Sequence, residues 1–581
     1  MATKLRVFRN NQFTNWQFNV WDVIALGLIF SALVLLAWSA IQMSAPYHVG
    51  EVLPISLSPK YLPYYALRTV YHMLVALFFS LLFTFTVGTL AARNKHAERL
   101  IIPCIDILQS MPILGFLSIT VVVFIRLFPN SLLGPESACI FAAFTSQVWN
   151  MTLGFYQSLK MVPYDLREAS AMFQLSSWQR FWRLDVPFAM PSLVWNIMVS
   201  MSATWFFIVA TEAIEVNNQT ILLPGIGSYI SLAIAHKNIA AILYAILTML
   251  IVILLYDQLL FRPLVLWSEK FKLDGKEEGA YKPRSFLNYL FRHTRFFRWV
   301  GEWVASFCDI IINLPLFRNP SIPRQSFAVR SRPVTLLIYV WYIVLAVASL
   351  VLLSLLLRFV FNTLTVREAL HAVILGSYTS IKIMTMIVLC SLLWVPIGVW
   401  IGLRPKAAYI IQPIAQFLAA FPANLLFPVA VILIAHYSLN TQICLTPLMV
   451  LGTQWYILFN VIAGTTAIPK DLIQVTQNLG VKKLLWWRRF ILPGIFPYFI
   501  TGAITAAGGA WNASIIAEVV QWGNITLTAP GIGAYVFHAT AVGDFPRIAL
   551  GMGVMCLYVL LFNRLIWQPL YNLAEKRFQI D

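Results

Sequence analysis

The chain has 581 residues, 60% of them hydrophobic and 11% charged, with a mean hydropathy of +0.76. Soluble domains carry roughly 25% charged residues, so this composition excludes a soluble globular protein and makes lipid the main solvent. The formal net charge of +18 does not imply nucleic acid: a helical span map puts most of the Lys and Arg on one side, as expected of cytoplasmic loops.

After a basic start (Lys4, Arg6, Arg9), the apolar run 23–41 exceeds the about 7–15-residue core of a signal peptide. It is read as a retained anchor. Stretches without Asp, Glu, Lys or Arg, longer than the ~20 residues a spanning helix needs, then recur down the chain. They place spans near 20–43, 66–92, 100–127, 137–159, 187–211 and 238–261, and again near 334–358, 376–403, 409–435, 443–465, 493–517 and 548–566. Strict polar–apolar alternation over strands of about ten residues is missing, which argues against a barrel. The expected fold is an all-α membrane protein with 12 transmembrane helices as two parallel repeats of six. An even number per repeat puts both termini in the cytoplasm.

The two halves repeat residue by residue. At an offset of 306, Trp149 falls on Trp455, Pro163 on Pro469, Asp165 on Asp471, Arg183 on Arg489, Pro187 and Pro191 on Pro493 and Pro497, Glu212 on Glu518, and "PGIG" at Pro224 on "PGIG" at Pro530. Upstream the offset becomes 310, pairing Gly88 with Gly398, Pro103 with Pro413 and Pro112 with Pro422. Parallel repeats place a pathway at their interface.

Between the halves, "FFRWVGEWVASFCDIIINL" puts Phe296, Val300, Trp303, Val304, Phe307 and Ile311 on one helical face, with Arg292, Arg295 and Arg298 nearby. This suits either an amphipathic helix in the headgroup layer or a tether packed on the bundle. Six scattered cysteines (Cys104, Cys139, Cys308, Cys390, Cys444, Cys556) suggest neither zinc site nor disulfide framework.

Each half carries a charged loop before its fifth span: "VPYDLREASAMFQLSSWQRFWRLDVPFAMP" and "IPKDLIQVTQNLGVKKLLWWRRFILPGIFP". Pro163 suits a first helical turn, and Asp165 and Glu168 lie where the helix dipole favours anions. The layout resembles the Glu-Ala-Ala loop of permease subunits of ATP-binding-cassette importers: Glu-Ala-Ala, three residues, Gly, then Leu-Pro. Glu168 and Ala169 with Val186-Pro187 match it in copy one, and Gly480 with Leu492-Pro493 in copy two. Copy one departs at Ser170 and Gln174; copy two has Gln474, Val475 and Thr476 for Glu-Ala-Ala. A left-handed turn is cheap at Gly480 and strained or absent at Gln174. The anionic contact exists only in copy one, so unequal coupling is expected.

The resemblance implies permease domains at 66–262 and 376–568. Around them lie the N-terminal tail, first span and external loop (1–65), a cytoplasmic linker (263–332), the seventh span with its external loop (333–375) and a C-terminal tail (569–581). It implies coupling to two ATPase subunits through Asp165, Glu168, Ala169, Asp471, Gln474 and Gly480, and a periplasmic or lipid-anchored solute-binding protein. ATP and Mg would be bound by the partners. The location would be the bacterial inner membrane. "WFFIVATE" and "WNASIIAE", each before "PGIG", are similar to the branch importing nitrate, sulfonates, taurine or bicarbonate; ferric iron or polyamine permeases are the alternative. Glu212 and Glu518 are gate or binding-protein-contact candidates. Met111 and Phe421, each before an aligned proline, either shape the central constriction or pack.

The chain lacks G-x-x-x-x-G-K-[ST], H-E-x-x-H and G-x-S-x-G, the devices of ATP, zinc and acyl chemistry. A polytopic enzyme would want a His–carboxylate set at one membrane face. A secondary carrier would want mid-span ionisable groups; the candidates are Asp106, Lys382, Glu212 and Glu518.

Overall fold

The structure is a computed structural model and describes residues 30–31, 34–35, 37–38, 41–43, 45–47, 53–110, 112–216, 219–271, 295–313 and 332–578. Most of the expected first span, most of the linker, Met111 and the last three residues lie outside the described residues.

The first half contains α1 (Leu62–Phe83), α2 (Lys95–Ser110), α3 (Leu117–Leu127), α4 (Leu133–Lys160), α5 (Tyr164–Met172), α6 (Val186–Thr211), α7 (Ile226–Ala235) and α8 (Ile239–Tyr256). The linker contributes α9 (Arg295–Ile312). The second half contains α10 (Arg332–Phe361), α11 (Val366–Gly402), α12 (Pro405–Ala420), α13 (Phe427–His436), α14 (Trp455–Thr466), α15 (Lys470–Asn478), α16 (Leu492–Ala517), α17 (Ile532–Val542) and α18 (Phe545–Phe562).

Among the described residues, six helical stretches are long and apolar enough to cross a membrane: Pro59–Arg93, Ser177–Thr211, Ile239–Ser268, Val366–Gly402, Lys483–Ala517 and Phe545–Ala574. They are the second, fifth and sixth expected spans of each half. The segments expected as third spans are broken instead of straight. In the second half α12 and α13 are bent by 75° at Phe421-Pro422, where a proline removes a donor and pushes the residue before it out of helical geometry. Counting that bent pair gives up to seven crossings. In the first half Pro112 likewise separates α2 from α3, with a tight turn at Ile113–Phe116. The segments expected as fourth spans differ: α4 runs unbroken for 28 residues, whereas its counterpart is split into Thr441–Leu445, a turn at Thr446–Met449 and α14. Pro447 stands in that break, where the first half has Phe141.

The helical reading missed two small hairpins. β1 (Ala213–Val216) pairs antiparallel with β2 (Gln219–Leu222), and β3 (Val519–Trp522) with β4 (Ile525–Thr528). Each follows directly on the fifth span.

Packing divides the chain into two units. One comprises Met1–Ile41, Val162–Pro191 and Tyr256–Arg324. Within it the first charged loop meets the end of α9: Trp178 Nε1 donates to the Ile311 carbonyl (3.3 Å) and Gln179 Nε2 to Asn313 Oδ1 (3.1 Å). The other comprises Gln42–Met161, Ser192–Leu255 and Gln325–Asp581. There α1 packs on α4, and α11 and α14 on α16. Buried Ala503, Ala506, Ala507 and Ala510 line one side of α16, small residues that let helix backbones approach in lipid.

The halves meet within this second unit. Asn512 Oδ1 accepts the Ile113 amide at 2.6 Å, and Asn424 Nδ2 donates to the Phe206 carbonyl at 3.4 Å. The repeat offsets put Asn512 at the place of Phe206 and Asn424 at that of Leu114, so the turn after each broken helix meets the fifth-span helix of the other half. Asn512→Leu leaves the buried Ile113 amide without its acceptor, which costs about 1–3 kcal/mol. The denaturant midpoint of the purified protein in detergent should fall, and fall less for Asn424→Leu, whose bond is longer.

Candidate functional site

The feature shared most closely by the two halves is a buried carboxylate at the hairpin end of the fifth span. Glu212 is fully enclosed. Its Oε2 accepts the Gly227 amide (2.7 Å), and its backbone carbonyl accepts the Leu223 amide (2.9 Å) and the Ser228 hydroxyl (2.6 Å). Beside it the Ile226 amide donates to Thr69 Oγ1 at 3.1 Å. In the second half Glu518, also fully enclosed, accepts the Ala534 amide on Oε2 (3.0 Å) and the Ala529 amide on its carbonyl (2.8 Å). There the Ile532 amide donates to Thr379 Oγ1 (3.0 Å), which itself donates to Glu518 Oε1 (2.8 Å). The first amides of a helix lack intrahelical partners and carry partial positive charge. Each carboxylate and threonine therefore satisfies the exposed start of the short helix behind "PGIG", α7 or α17.

This arrangement explains the glycines. Gly225 and Gly531 have extended backbones with φ of −171° and 176°, which any residue can adopt. Their need is space, since a Cβ at either would overlap the carboxylate of Glu212 or Glu518.

Neutralisation differs between halves. In the first, His72 lies between two carboxylates: Nδ1 is 3.3 Å from Glu212 Oε1, Nε2 contacts Glu136 Oε2, and Arg68 pairs with Glu136 Oε1. All four side chains are fully buried. Ionised carboxylates only accept hydrogen bonds, so with both carboxylates ionised a doubly protonated ring would donate to each, and two cations would balance two anions. In the second half Lys382, at the place of His72, donates to Glu518 Oε1 (3.2 Å) and the Pro530 carbonyl (2.7 Å). A contact with a binding protein would need exposure that neither Glu212 nor Glu518 has; each touches the start of a helix instead. Sequence reasoning overlooked Arg68, His72, Glu136, Thr69 and Thr379. The available signal was Arg68 and His72 one turn apart in an apolar span, with Thr69 and Thr379 in register.

Between the halves lies a cavity of about 460 Å³. Its wall includes Leu114, Ser231, Asn424, Ile516, Gln521 and Thr540, and among its lining residues none is ionisable. Phe421 is half-buried at the end of α12, and the cavity wall takes the turn after it, Asn424 and Leu425.

The charged loops are two short helices of nine residues each. Pro163 caps α5 rather than joining its first turn; Asp165 and Glu168 are exposed and Ala169 half-buried. On α15 Asp471 and Gln474 are exposed, as is Gly480 beyond its end. Both helices stop identically. Gln174 (φ 50°) and Gly480 (φ 65°) are left-handed, the Leu175 amide bonds the Ser170 carbonyl (3.1 Å), and the Val481 amide the Thr476 carbonyl (3.1 Å). The turn is thus present in copy one, held at a cost of about 1–2 kcal/mol for a residue with a Cβ. A reciprocal cap of Ser176 with Gln179 (3.2 and 3.1 Å) follows it. Copy two has no side-chain cap there.

A proline-broken helix pair in each half, a hairpin-and-carboxylate module at the end of each fifth span, a shared cavity and two exposed loop helices define a duplicated membrane permease. The chain belongs to the family described as binding-protein-dependent transport system inner membrane component, matched twice, at residues 84–262 and 394–578. It is 28% identical over 177 residues to the bicarbonate transport system permease protein CmpB of Synechocystis sp., and 26% identical over 172 residues to the nitrate import permease protein NrtB of Leptolyngbya laminosa. Each match covers 30% of this chain, and 60% and 58% of the respective relatives, so the chain spans less than two thirds of their length.

Gly531→Ala should displace Glu518 from the start of α17 and cost about 2–4 kcal/mol, because a buried charge loses its donors. The thermal midpoint in detergent should drop by several degrees, and Gly508→Ala, with nothing within 4 Å of its added Cβ, should not lower it.

Proposed function

We propose that the chain is the fused permease of an ATP-driven importer for a small oxyanion such as bicarbonate, nitrate or a sulfonate. In this reading it has 12 spans in two parallel repeats, with both termini cytoplasmic. Two separate ATPase subunits, carrying the ATP and Mg, grip α5 through Asp165, Glu168 and Ala169, and α15 through Asp471, Gln474 and Gly480. A solute-binding protein delivers the solute at the opposite face. Closure of the ATPase pair then switches which face the pathway opens to.

The observation that carries the choice of solute is the cavity between the halves, whose lining lacks ionisable side chains. A ferric ion or polyamine crossing it would find no carboxylate to replace its water, whereas hydroxyl and amide groups can solvate a small anion without trapping it. The similarity to permeases named for bicarbonate and nitrate supports the same reading.

The test is uptake by the complete complex, with its ATPases and binding protein, in proteoliposomes. ATP-dependent uptake of labelled bicarbonate or nitrate is expected, with none of ferric iron or spermidine. Asn424→Asp, which puts a carboxylate in the wall, should lower oxyanion uptake about tenfold or more through like-charge repulsion. Uptake of the cations with no oxyanion flux would refute the assignment.

A further inference from the structure

The linker helix α9 lies outside both family-matched segments, which leave residues 263–393 uncovered, and among the described residues its hydrogen bonds to other elements go to the first charged loop. Besides the bonds from Trp178 and Gln179, Arg183 Nη2 reaches Asn313 Oδ1 (3.4 Å) and lies 3.8 Å from Asp309 Oδ1. The equivalents of Trp178 and Gln179 in the second loop are Leu484 and Leu485, 77% and 56% exposed.

One side of α9 is apolar and uncovered. Trp303, Phe307 and Ile310, spaced i, i+4 and i+7, are 63%, 54% and 64% exposed, with the first two rings stacked 6.2 Å apart at 4°. At 3.6 residues per turn they form one narrow stripe, which Phe296 and Val300 extend in sequence. Charge sits off that stripe: Glu302 and Asp309 are exposed, and Arg292, Arg295 and Arg298 cluster at the amino-terminal end in sequence. Such a stripe is too narrow for the ~800 Å² per partner of a stable protein interface. The linker also joins a membrane-crossing stretch ending at Ser268 to the long apolar helix α10, which tethers α9 at a bilayer face. Aromatics on one side and arginines beside them match an anionic headgroup layer, apolar below and negative above.

We propose that α9 is an interfacial helix that binds anionic lipid and, through Asp309, Ile311 and Asn313, braces the first charged loop against the membrane surface. Among the described residues the second loop has no such brace. The arrangement makes copy one, but not copy two, sensitive to the charge of the lipid around it.

The experiment uses the full chain in nanodiscs of phosphatidylcholine, with or without phosphatidylglycerol, carrying single nitroxide labels in a background without native cysteines. With phosphatidylglycerol, labels at Phe307→Cys and Ile310→Cys should be quenched by oxygen, and labels at Glu302→Cys and Ala305→Cys by an aqueous nickel chelate. In phosphatidylcholine alone, or with Arg295→Gln and Arg298→Gln, the first pair should become several-fold more accessible to nickel. A label at Met172→Cys in α5 should gain mobility in phosphatidylcholine alone, while one at Asn478→Cys in α15 should not. Positions 307 and 310 shielded from both quenchers would mean that protein covers the stripe. Aqueous accessibility there in the anionic membrane, immersion independent of phosphatidylglycerol, or equal responses of the two loops would each overturn the proposal. None of these readouts depends on transport, so the oxyanion assignment stands or falls separately.

Discussion

A carboxylate enclosed at the end of an apolar span is the constraint from which the hairpin end of each half is built. Burying an ionised carboxylate costs several kcal/mol unless donors surround it. Glu212 and Glu518 find those donors in the starts of α7 and α17, where unpaired amides need an acceptor as much as the carboxylate needs donors. One interaction thus resolves two desolvation problems. It also dictates the neighbours: a glycine where a Cβ would strike the carboxylate, a threonine on the preceding span for one more amide, and a cation for the remaining charge.

The halves share the acceptor side of this design and have diverged on the cationic side. The second half uses one lysine, which also takes the Pro530 carbonyl. The first uses His72 with Arg68, and Glu136 joins them into a four-membered set. The loops diverge in the same manner. Copy one tolerates a left-handed glutamine, adds a reciprocal cap and leans on the linker helix; copy two has glycine at the turn and, among the described residues, no brace. Since the halves are one chain, each can change without a symmetry mate changing with it, and the two loops need not respond alike.

Much of the architecture was legible because the membrane simplifies the code. The second, fifth and sixth spans of each half are long apolar runs, and the repeat was plain from Trp149, Pro163, Arg183, Glu212 and their partners. Gly480 announced its turn, whereas at Gln174 the geometry is imposed by the Ser170 and Ala171 carbonyls against local preference. The breaks after α2 and α12 were written in Pro112 and Pro422, but proline also sits inside continuous helices here, at Pro103 and Pro191, so proline alone did not set them. The hairpins were illegible because strands of four residues beside a long apolar span give no period of their own. The set around His72 was missed for a different reason. Its members come from α1, α4 and the end of α6, and only tertiary packing brings them within reach.

The most direct test of the buried-carboxylate account is a double-mutant cycle on its simpler copy, with Lys382→Met, Glu518→Gln and the pair compared by unfolding in detergent. Removing Lys382 alone strands a buried anion, so a loss of about 3–5 kcal/mol is expected. The double variant should recover a large part of it, giving a coupling of at least ~1.5 kcal/mol. Additive losses from the two changes would contradict the claim that Glu518 is an ionised group whose charge the rest of the module exists to satisfy.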